Sequence, residues 1–306
     1  MAATSPFNSS SLDEQLSAMS SDDEGLPLEL FQEPPGYYPP PDPHTFSSYT
    51  LASGQVLEVR LVGHNPLWGH HVWNAAHSIS AYLQNPSNAA RLIHSKSVLE
   101  LGAGAGIPAI VASIVGARLV VITDYPDADL VENIQWNIDN SAVLTPTQRS
   151  TIAVEGHAFG ASTEPILAHL SPGAKGEKGF DTLILADLLF NHHCHARLIV
   201  TVQQTLAPVS SARALVFFSP YRPWLLSADL AFFALAEEGG FVVEKIGEEL
   251  TEKVMFRDDP GVSNSSRGRI RTRVQDEGFQ DEKLRRTIFM YELKWSEEEL
   301  RARNLP

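Results

Sequence analysis

The chain has 306 residues, 43% of them hydrophobic, a formal net charge of −14 and a single cysteine, Cys194. This length suits one large α/β domain or two small ones with a sizeable core. No run reaches the roughly 18 unbroken apolar residues of a membrane span, the first residues lack a secretory or mitochondrial targeting pattern, and one cysteine excludes an intramolecular disulfide. We therefore expect a cytoplasmic protein with no membrane or metal partner.

The negative charge is concentrated near the N-terminus. Arg60 is the first lysine or arginine of the chain, and nine acidic residues precede it. Such a leader argues against a nucleic-acid backbone as the main partner, because phosphates are recognised by lysine and arginine. It is compatible with attraction of a basic protein substrate. The alternative is that it only keeps the protein in solution.

Three regions differ in composition along the chain. Residues 1–30 are rich in serine and acids and read as a disordered leader. Residues 31–60 begin with a proline-rich run that predicts an extended strap, followed by an N-terminal strand or hairpin. Residues 61–300 have the texture of a folded domain, which we expect to carry the chemistry.

Within this domain, short apolar runs alternate with helical periodicity. The predicted strands are 97–101, 119–124, 151–154, 181–186, 214–219, 241–246 and 287–294. The predicted helices are 68–83, 107–115, 127–140 and 227–237. Such alternation predicts an α/β fold: a Rossmann-like, seven-stranded sheet with helices on both faces. Five strands would be parallel, and the last two, which no helix joins, would form an antiparallel C-terminal hairpin.

A glycine-rich run, Glu100–Gly106, follows the first strand of this sheet and precedes a helix. Gly102, Ala103 and Gly104 can form a tight turn whose backbone passes close to a ligand. Asp124 ends the next strand, where a carboxylate accepts hydrogen bonds from ribose hydroxyls. The spacing is not the G-x-G-x-x-G of dinucleotide folds. It favours S-adenosylmethionine as the cofactor; the alternative is an ordinary strand-to-helix turn.

The segment Ala186–His192 follows the fourth strand and would lie beside the transferred methyl group. Methyl transfer needs a neutral, aligned nucleophile and little acid–base machinery. Asp187 would hold an incoming ammonium group, and Asn191 or His192 would orient it. The alternative is that Asp187 caps a helix. Neighbouring His192–His195 cannot converge on one ion from a helix, so no metal site is predicted.

Four runs resemble the entry, cofactor and post-strand motifs of the family 16 seven-stranded methyltransferases, in particular its fungal branch. They are LVGHNPLWGH at 61–70, VLELGAGAGIP at 98–108, TDYPDADL at 123–130 and ADLLFNH at 186–192. The resemblance covers about residues 30 to 295. It implies methylation of the N-terminal glycine and the adjacent lysine of translation elongation factor 1-alpha, a basic protein N-terminus. We also expect the chain to act as a monomer.

The resemblance also implies a set of cofactor contacts. They come from Trp68, the loop Gly102–Gly104, Asp124 and Ala186, and from a tryptophan that this chain replaces with Phe159. A phenyl ring can stack on adenine but lacks the indole N–H donor. Trp73 is expected in the core. Two other functions stay open: methylation of a small amine of the nicotinamide type, and a non-catalytic scaffold.

Overall fold

A computed structural model describes residues 43–63, 65, 68–170, 178–252, 254 and 282–303. All of these belong to one of the two units into which the chain divides, Asp42–Pro306. The predicted leader 1–30, the proline-rich part of the strap and most of residues 258–286, which connect the last two predicted strands, lie outside the described residues.

The described strands form a two-stranded hairpin and a seven-stranded sheet, separated by helices. The hairpin strands are β1 (Thr45–Thr50) and β2 (Val56–Leu61), and the sheet strands are β3 (Ser97–Leu101), β4 (Leu119–Asp124), β5 (Ile152–Gly156), β6 (Thr182–Ala186), β7 (Arg213–Phe218), β8 (Phe241–Leu250) and β9 (Thr287–Trp295). The helices are α1 (Asn74–Gln84), α2 (Pro86–Leu92), α3 (Ile107–Val115), α4 (Ala128–Asn140), α5 (Pro146–Arg149), α6 (Glu164–Leu167), α7 (His195–Thr205), α8 (Leu226–Glu238) and α9 (Glu297–Arg303).

The large sheet has the order β5-β4-β3-β6-β7-β9-β8. The first five of these strands pair in parallel, and β9 pairs antiparallel with both β7 and β8. The predicted fold class is confirmed, including the antiparallel hairpin at the sheet edge. From β3 to β5 successive strands are added on one side of β3, and β6 and β7 are added on the other side. The strand order therefore reverses between the neighbouring strands β3 and β6. In open α/β sheets a ligand crevice forms at such a point.

Successive side chains along a strand point alternately into two hydrophobic layers, one on each face of the sheet. Leu215 and Phe217 of β7 pack with α1, α3, α4 and the β1–β2 hairpin on one face. Val216 and Phe218 pack with α7 and α8 on the other. The period of two along each strand produces this division, and it confirms helices on both faces.

Three boundaries differ from the predicted ones. The helix expected over 68–83 begins only at Asn74, because the backbone of Trp73, directly before it, is extended with φ of −78° and ψ of 149°. The expected break at Asn85 starts a second helix, whose Ser87 N–H donates to the Asn85 side chain and whose first position is Pro86. Proline at this position lacks only an N–H that the helix leaves unpaired. The short helices α5 and α6 and the C-terminal α9 had no predicted counterpart.

None of the helices in the described ranges is long and apolar enough to cross a membrane.

Candidate cofactor and substrate site

A cavity of about 380 Å³ opens at the carboxyl ends of the parallel strands. Its walls come from the segments that follow β3, β4, β5 and β6 and from the loop that precedes α1. Nine of the ten residues predicted for the site line it: Trp68, Gly102, Ala103, Gly104, Asp124, Phe159, Ala186, Asp187 and Asn191. Residues far apart in sequence meet here because parallel strands end at one edge of the sheet.

The glycine loop leaves β3 with a left-handed backbone at Gly102 and Gly104. A Cβ built on Gly102 would lie 2.6 Å from Cδ2 of Leu188, so a larger residue would displace this side chain and would be strained at the left-handed φ of 61°. A Cβ on Gly104 would meet nothing within 4 Å, because this position faces open space. The loop therefore presents bare backbone to the cavity, and the side chain of a substituent at Gly104 would occupy ligand space.

Asp124 braces the glycine loop from the end of β4. Its Oδ2 accepts the backbone N–H of Gly104 at 2.6 Å, and its Oδ1 accepts that of Tyr125 at 2.7 Å. Burial raises the pKa of Asp124, and these two hydrogen bonds oppose that rise. A carboxylate has about four acceptor positions. Two remain for hydroxyl donors from a ligand.

Glu100, inside β3, caps the next helix from below. Its Oε2 accepts the backbone N–H of Ala109 in the first turn of α3 at 2.9 Å. The residue is 1% exposed, and burial raises the pKa of its carboxyl group well above the usual value. The nearby Asp124 carboxylate raises it further. A cation bound in the cavity would be favoured by this pair of acids.

Phe159 lies on the loop that follows β5, and this loop is fastened to α7. The hydroxyl of Thr201 accepts the backbone N–H of Gly160 at 2.9 Å and lies 3.1 Å from Nε2 of His157. Cζ of Phe159 lies 3.5 Å from the position of a Cβ on Gly102. The phenyl ring is thus held over the glycine loop, where a planar ligand group can stack.

Asp187 sits at the end of β6 and joins three segments of the chain. Its Oδ2 accepts the backbone N–H of Ala75 at 2.8 Å. Its Oδ1 accepts the backbone N–H and the hydroxyl of Ser219, at 2.6 Å and 3.0 Å. The residue is 4% exposed, and burial raises its pKa to about 6. Asp187 therefore caps a helix, α1, that lies more than a hundred residues earlier in the chain.

An aromatic wall, defined as Trp73, Phe190 and Tyr221, stands beside Asp187. The rings of Trp73 and Phe190 are stacked with 5.3 Å between centroids, and Tyr221 meets both edge-on at 5.7 Å and 5.9 Å. Trp68 meets Trp73 edge-on at 6.2 Å. Trp73 and Phe190 line the cavity. The expectation of Trp73 as a core residue is corrected, because its ring is only half-buried.

The chain can now be compared with known proteins. The family described as "Lysine methyltransferase" matches residues 53–238. The protein N-terminal and lysine N-methyltransferase efm7 of Emericella nidulans is 45% identical over 88% of this chain and 96% of its own. Proteins of the same name from Aspergillus fumigatus and Neurospora crassa are 42% and 40% identical, over 89% and 92% of this chain and 95% and 94% of theirs. The chain belongs to the lysine methyltransferase family.

Among solved structures, the 16S rRNA N2 G1207 methyltransferase RsmC of T. Thermophilus, in complex with AdoMet and guanosine, is similar to this methyltransferase. The TM-score is 0.48 at 15% identity, over 85% of this chain and 53% of that chain. This likeness is too weak to bear on the activity.

His192 is the one predicted site residue that the cavity of this methyltransferase does not include. Its Nε2 lies 2.7 Å from Oδ1 of Asp229 on α8, and Asp229 is 5% exposed. The side chain thus contacts α8 and does not line the cavity. Burial raises the pKa of Asp229, and the contact with His192 opposes that rise. Within the described ranges, no cluster of His, Cys, Asp or Glu could hold a metal ion.

Sequence reasoning missed the aromatic wall and Arg197. Phe190 lies within the motif ADLLFNH, where nothing distinguishes it from its neighbours. Tyr221 lies three residues after the end of β7, outside every motif. An available signal was that Trp73, Phe190 and Tyr221 all lie next to strand or helix ends on the ligand side of a doubly wound sheet. Arg197 carried no such signal, because its contact with the site depends on the packing of α7.

Proposed function

We propose that this methyltransferase transfers methyl groups from S-adenosylmethionine to the N-terminal glycine, and then the adjacent lysine, of translation elongation factor 1-alpha. The observation that carries the proposal is the set of relatives named protein N-terminal and lysine N-methyltransferase, at 40–45% identity over most of the chain. The identity of the protein substrate rests on the motif resemblance. With this substrate the enzyme would act in the cytoplasm. Action as a monomer stays a prediction.

The residues of the cavity fit S-adenosylmethionine. The cavity has a volume of about 380 Å³, which suits a ligand of this size. Asp124 has acceptor positions for the ribose hydroxyls, Phe159 offers a face to adenine, and the backbone of Gly102–Gly104 permits close approach. The carboxylates of Glu100 and Asp124 favour the positive charges of the amino-acid portion. When bound, the cofactor supplies a methyl group on a positively charged sulfur.

The acceptor amine would enter along the aromatic wall. An ammonium group is attracted to the faces of tryptophan, tyrosine and phenylalanine rings, most strongly to tryptophan. Trp73 and Phe190 offer such surfaces in the cavity next to Ala186, at the end of β6. A charged acceptor can therefore be held there before it loses its proton. An N-terminal amine, with a pKa of about 8, loses it more readily than lysine, at about 10.4.

Asp187 and Asn191 would act differently from each other. The carboxylate of Asp187 already accepts three hydrogen bonds, so its main task is to position α1 and the aromatic wall, and its negative charge favours a nearby cation. Asn191 lines the cavity, and its amide oxygen can accept a hydrogen bond from the acceptor amine. His192 would act only through Asp229 and the loop that carries Asn191.

Methylation of nicotinamide or a similar flat amine is the second candidate. The stacked rings of Trp73 and Phe190 favour it, because a pyridine ring can pack on the same surface. A flat amine needs no cationic interaction at the aromatic wall. The two candidates therefore differ in whether a peptide ammonium is accepted.

The deciding experiment uses the full chain with a synthetic peptide that begins with glycine and lysine. Methyl incorporation is followed by mass spectrometry, with nicotinamide in a parallel reaction. We expect methylation of the peptide and none of nicotinamide. The reverse result would establish the small-molecule activity and remove the protein substrate.

Two altered peptides locate the methyl groups. An acetylated N-terminus should abolish the first methylation, and a lysine-to-arginine change should abolish only the second. An Asp124→Ala enzyme serves as the control, since it should lose cofactor binding and both activities. Methylation that persists on the peptide with both changes would place the target elsewhere.

A further inference from the structure

Arg197 brings a positive charge to the part of the cavity near Phe159. It is on α7 and lines the cavity together with Ala158 and Phe159 of the loop after β5. Arg197 contacts Gly160, the residue after Phe159, so it lies on the Phe159 side of the cavity, where the stacking surface is.

The packing of Gly160 fixes the base of the Arg197 side chain. A Cβ on Gly160 would lie 3.1 Å from Cβ and 3.2 Å from Cγ of Arg197, so the glycine backbone directly contacts the arginine stem. Gly160 has φ of 81°, a conformation that glycine adopts without cost. One turn further along α7, Thr201 accepts the Gly160 N–H. The loop and the helix thus hold the start of the side chain in a defined place.

The guanidinium group of Arg197 differs from the other cationic groups near the site. Arg222 donates to the carbonyl oxygen of Phe190 at 2.6 Å, and Arg60 lies over the ring of Trp136. Among the described residues, none forms a hydrogen bond or ion pair with the Arg197 side chain, which is exposed to solvent at the edge of the cavity. The three acids of the cavity, Glu100, Asp124 and Asp187, make their contacts elsewhere.

We propose that Arg197 is a cofactor-binding residue that recognises the adenine ring. This inference rests on S-adenosylmethionine as the proposed cofactor. Adenine offers ring nitrogens as hydrogen-bond acceptors and a π-face. A guanidinium group carries five N–H donors in one plane and stacks on aromatic surfaces. Arg197 then supplies the donor that Phe159 lacks, while Phe159 keeps the stacking surface. Adenine is uncharged, so the arginine charge lies away from the positive sulfur.

The test compares binding of S-adenosylhomocysteine and of adenosine by calorimetry to the full-length wild type and three variants. Arg197→Met removes the charge and the donors but keeps the apolar stem, and Arg197→Lys keeps the charge but loses the planar group. Arg301→Met is the matched control, because Arg301 is an exposed arginine that pairs with Glu297 on α9. The melting temperature without ligand checks that every variant is folded.

We expect Arg197→Met to weaken both ligands by about tenfold or more, with Arg197→Lys in between and the control unchanged. The loss must be similar for the two ligands, because both contain adenine. A loss confined to S-adenosylhomocysteine would place Arg197 on the amino-acid portion and overturn the inference. Equal affinity of Arg197→Met and the wild type would also overturn it. If the wild type binds neither ligand, the proposed function itself fails, and the inference falls with it.

Discussion

The carboxylate of Asp187 accepts the backbone N–H of Ala75 at 2.8 Å, across 112 positions of sequence. Through Ser219 it also holds the segment that follows β7. Ala75 lies two residues after Trp73, Ser219 lies two residues before Tyr221, and Phe190 follows Asp187 by three. One buried carboxylate thus fixes the backbones that carry all three rings of the aromatic wall.

Replacing Asp187 with asparagine should separate these segments. One carboxylate oxygen becomes an NH₂ group, which would face the N–H of either Ala75 or Ser219 and leave a buried donor unpaired. We expect Asp187→Asn to lower the free energy of unfolding by about 1.5–3 kcal/mol and to raise the KM for the acceptor peptide. Urea denaturation and initial rates measure the two effects.

The control for this change is Asp139→Asn on the exposed side of α4. Asp139 accepts only from the side chain of Gln135, so its replacement should alter stability by no more than about 0.5 kcal/mol. A variant Asp187→Asn as stable as this control would show that the three hydrogen bonds do not hold the segments together.

The same residue should give stability a dependence on pH. Burial raises the pKa of Asp187 from 3.8 to about 6 in the folded protein, so the folded state binds its proton more tightly than the unfolded state. The free energy of unfolding therefore falls as pH rises from about 4 to about 6, by about 3 kcal/mol from this group. Below pH 4 and above pH 6 the group contributes no slope.

Denaturation at a series of pH values between 4 and 7 measures this slope. Asp187→Asn lacks the titrating group, so its stability should fall less over this range than that of the wild type. The buried carboxyl groups Glu100 and Asp124 add slopes of the same sign in both proteins. Parallel curves for the two proteins would contradict the assignment of the raised pKa to Asp187.

Alanine at Gly104 should weaken cofactor binding without a large loss of stability. Gly104 has φ of 56°, and its Cβ would project into open space in the ligand loop. Gly54, in the turn between β1 and β2, has φ of 84° and equally open surroundings, but lies outside the cavity. Both substitutions should cost about 1–2 kcal/mol through the left-handed backbone alone.

Only Gly104→Ala should weaken S-adenosylhomocysteine, by about tenfold or more. Calorimetry of the two variants side by side separates backbone cost from ligand contact. Equal affinity in Gly104→Ala, Gly54→Ala and the wild type would show that the cofactor does not approach this loop.

His192→Ala should lower stability more than it lowers catalysis. The substitution leaves the buried carboxyl group of Asp229 without its partner, at a cost of about 1–3 kcal/mol. The cavity keeps its lining, so kcat should change by less than about threefold. Asn191→Ala, which alters the lining, should lower the rate of methyl transfer more. A larger fall of kcat in His192→Ala than in Asn191→Ala would return His192 to the reacting groups.

The sheet, the glycine loop and Asp124 at the end of β4 could all be predicted from the amino-acid sequence. These features follow from local patterns: apolar runs, glycines that permit a left-handed backbone, and an acid placed directly after a strand. The resemblance to family 16 methyltransferases rests on the same contiguous motifs. Even the antiparallel hairpin could be predicted, because the sequence between the last two strands shows no obvious helical pattern, and a parallel crossover usually needs a helix.

The direction of each side chain at the site depends on how the helices, strands and loops pack together. The motif Ala186–His192 treats Asp187, Asn191 and His192 alike, but one caps a distant helix, one lines the cavity and one turns to Asp229. Trp73 lines the cavity and not the core, because α1 begins six residues later than the sequence periodicity predicts. The contact of Arg197 with Gly160 depends on how α7 packs against the loop after β5. Such contacts join residues far apart in sequence, and no local pattern encodes the partner.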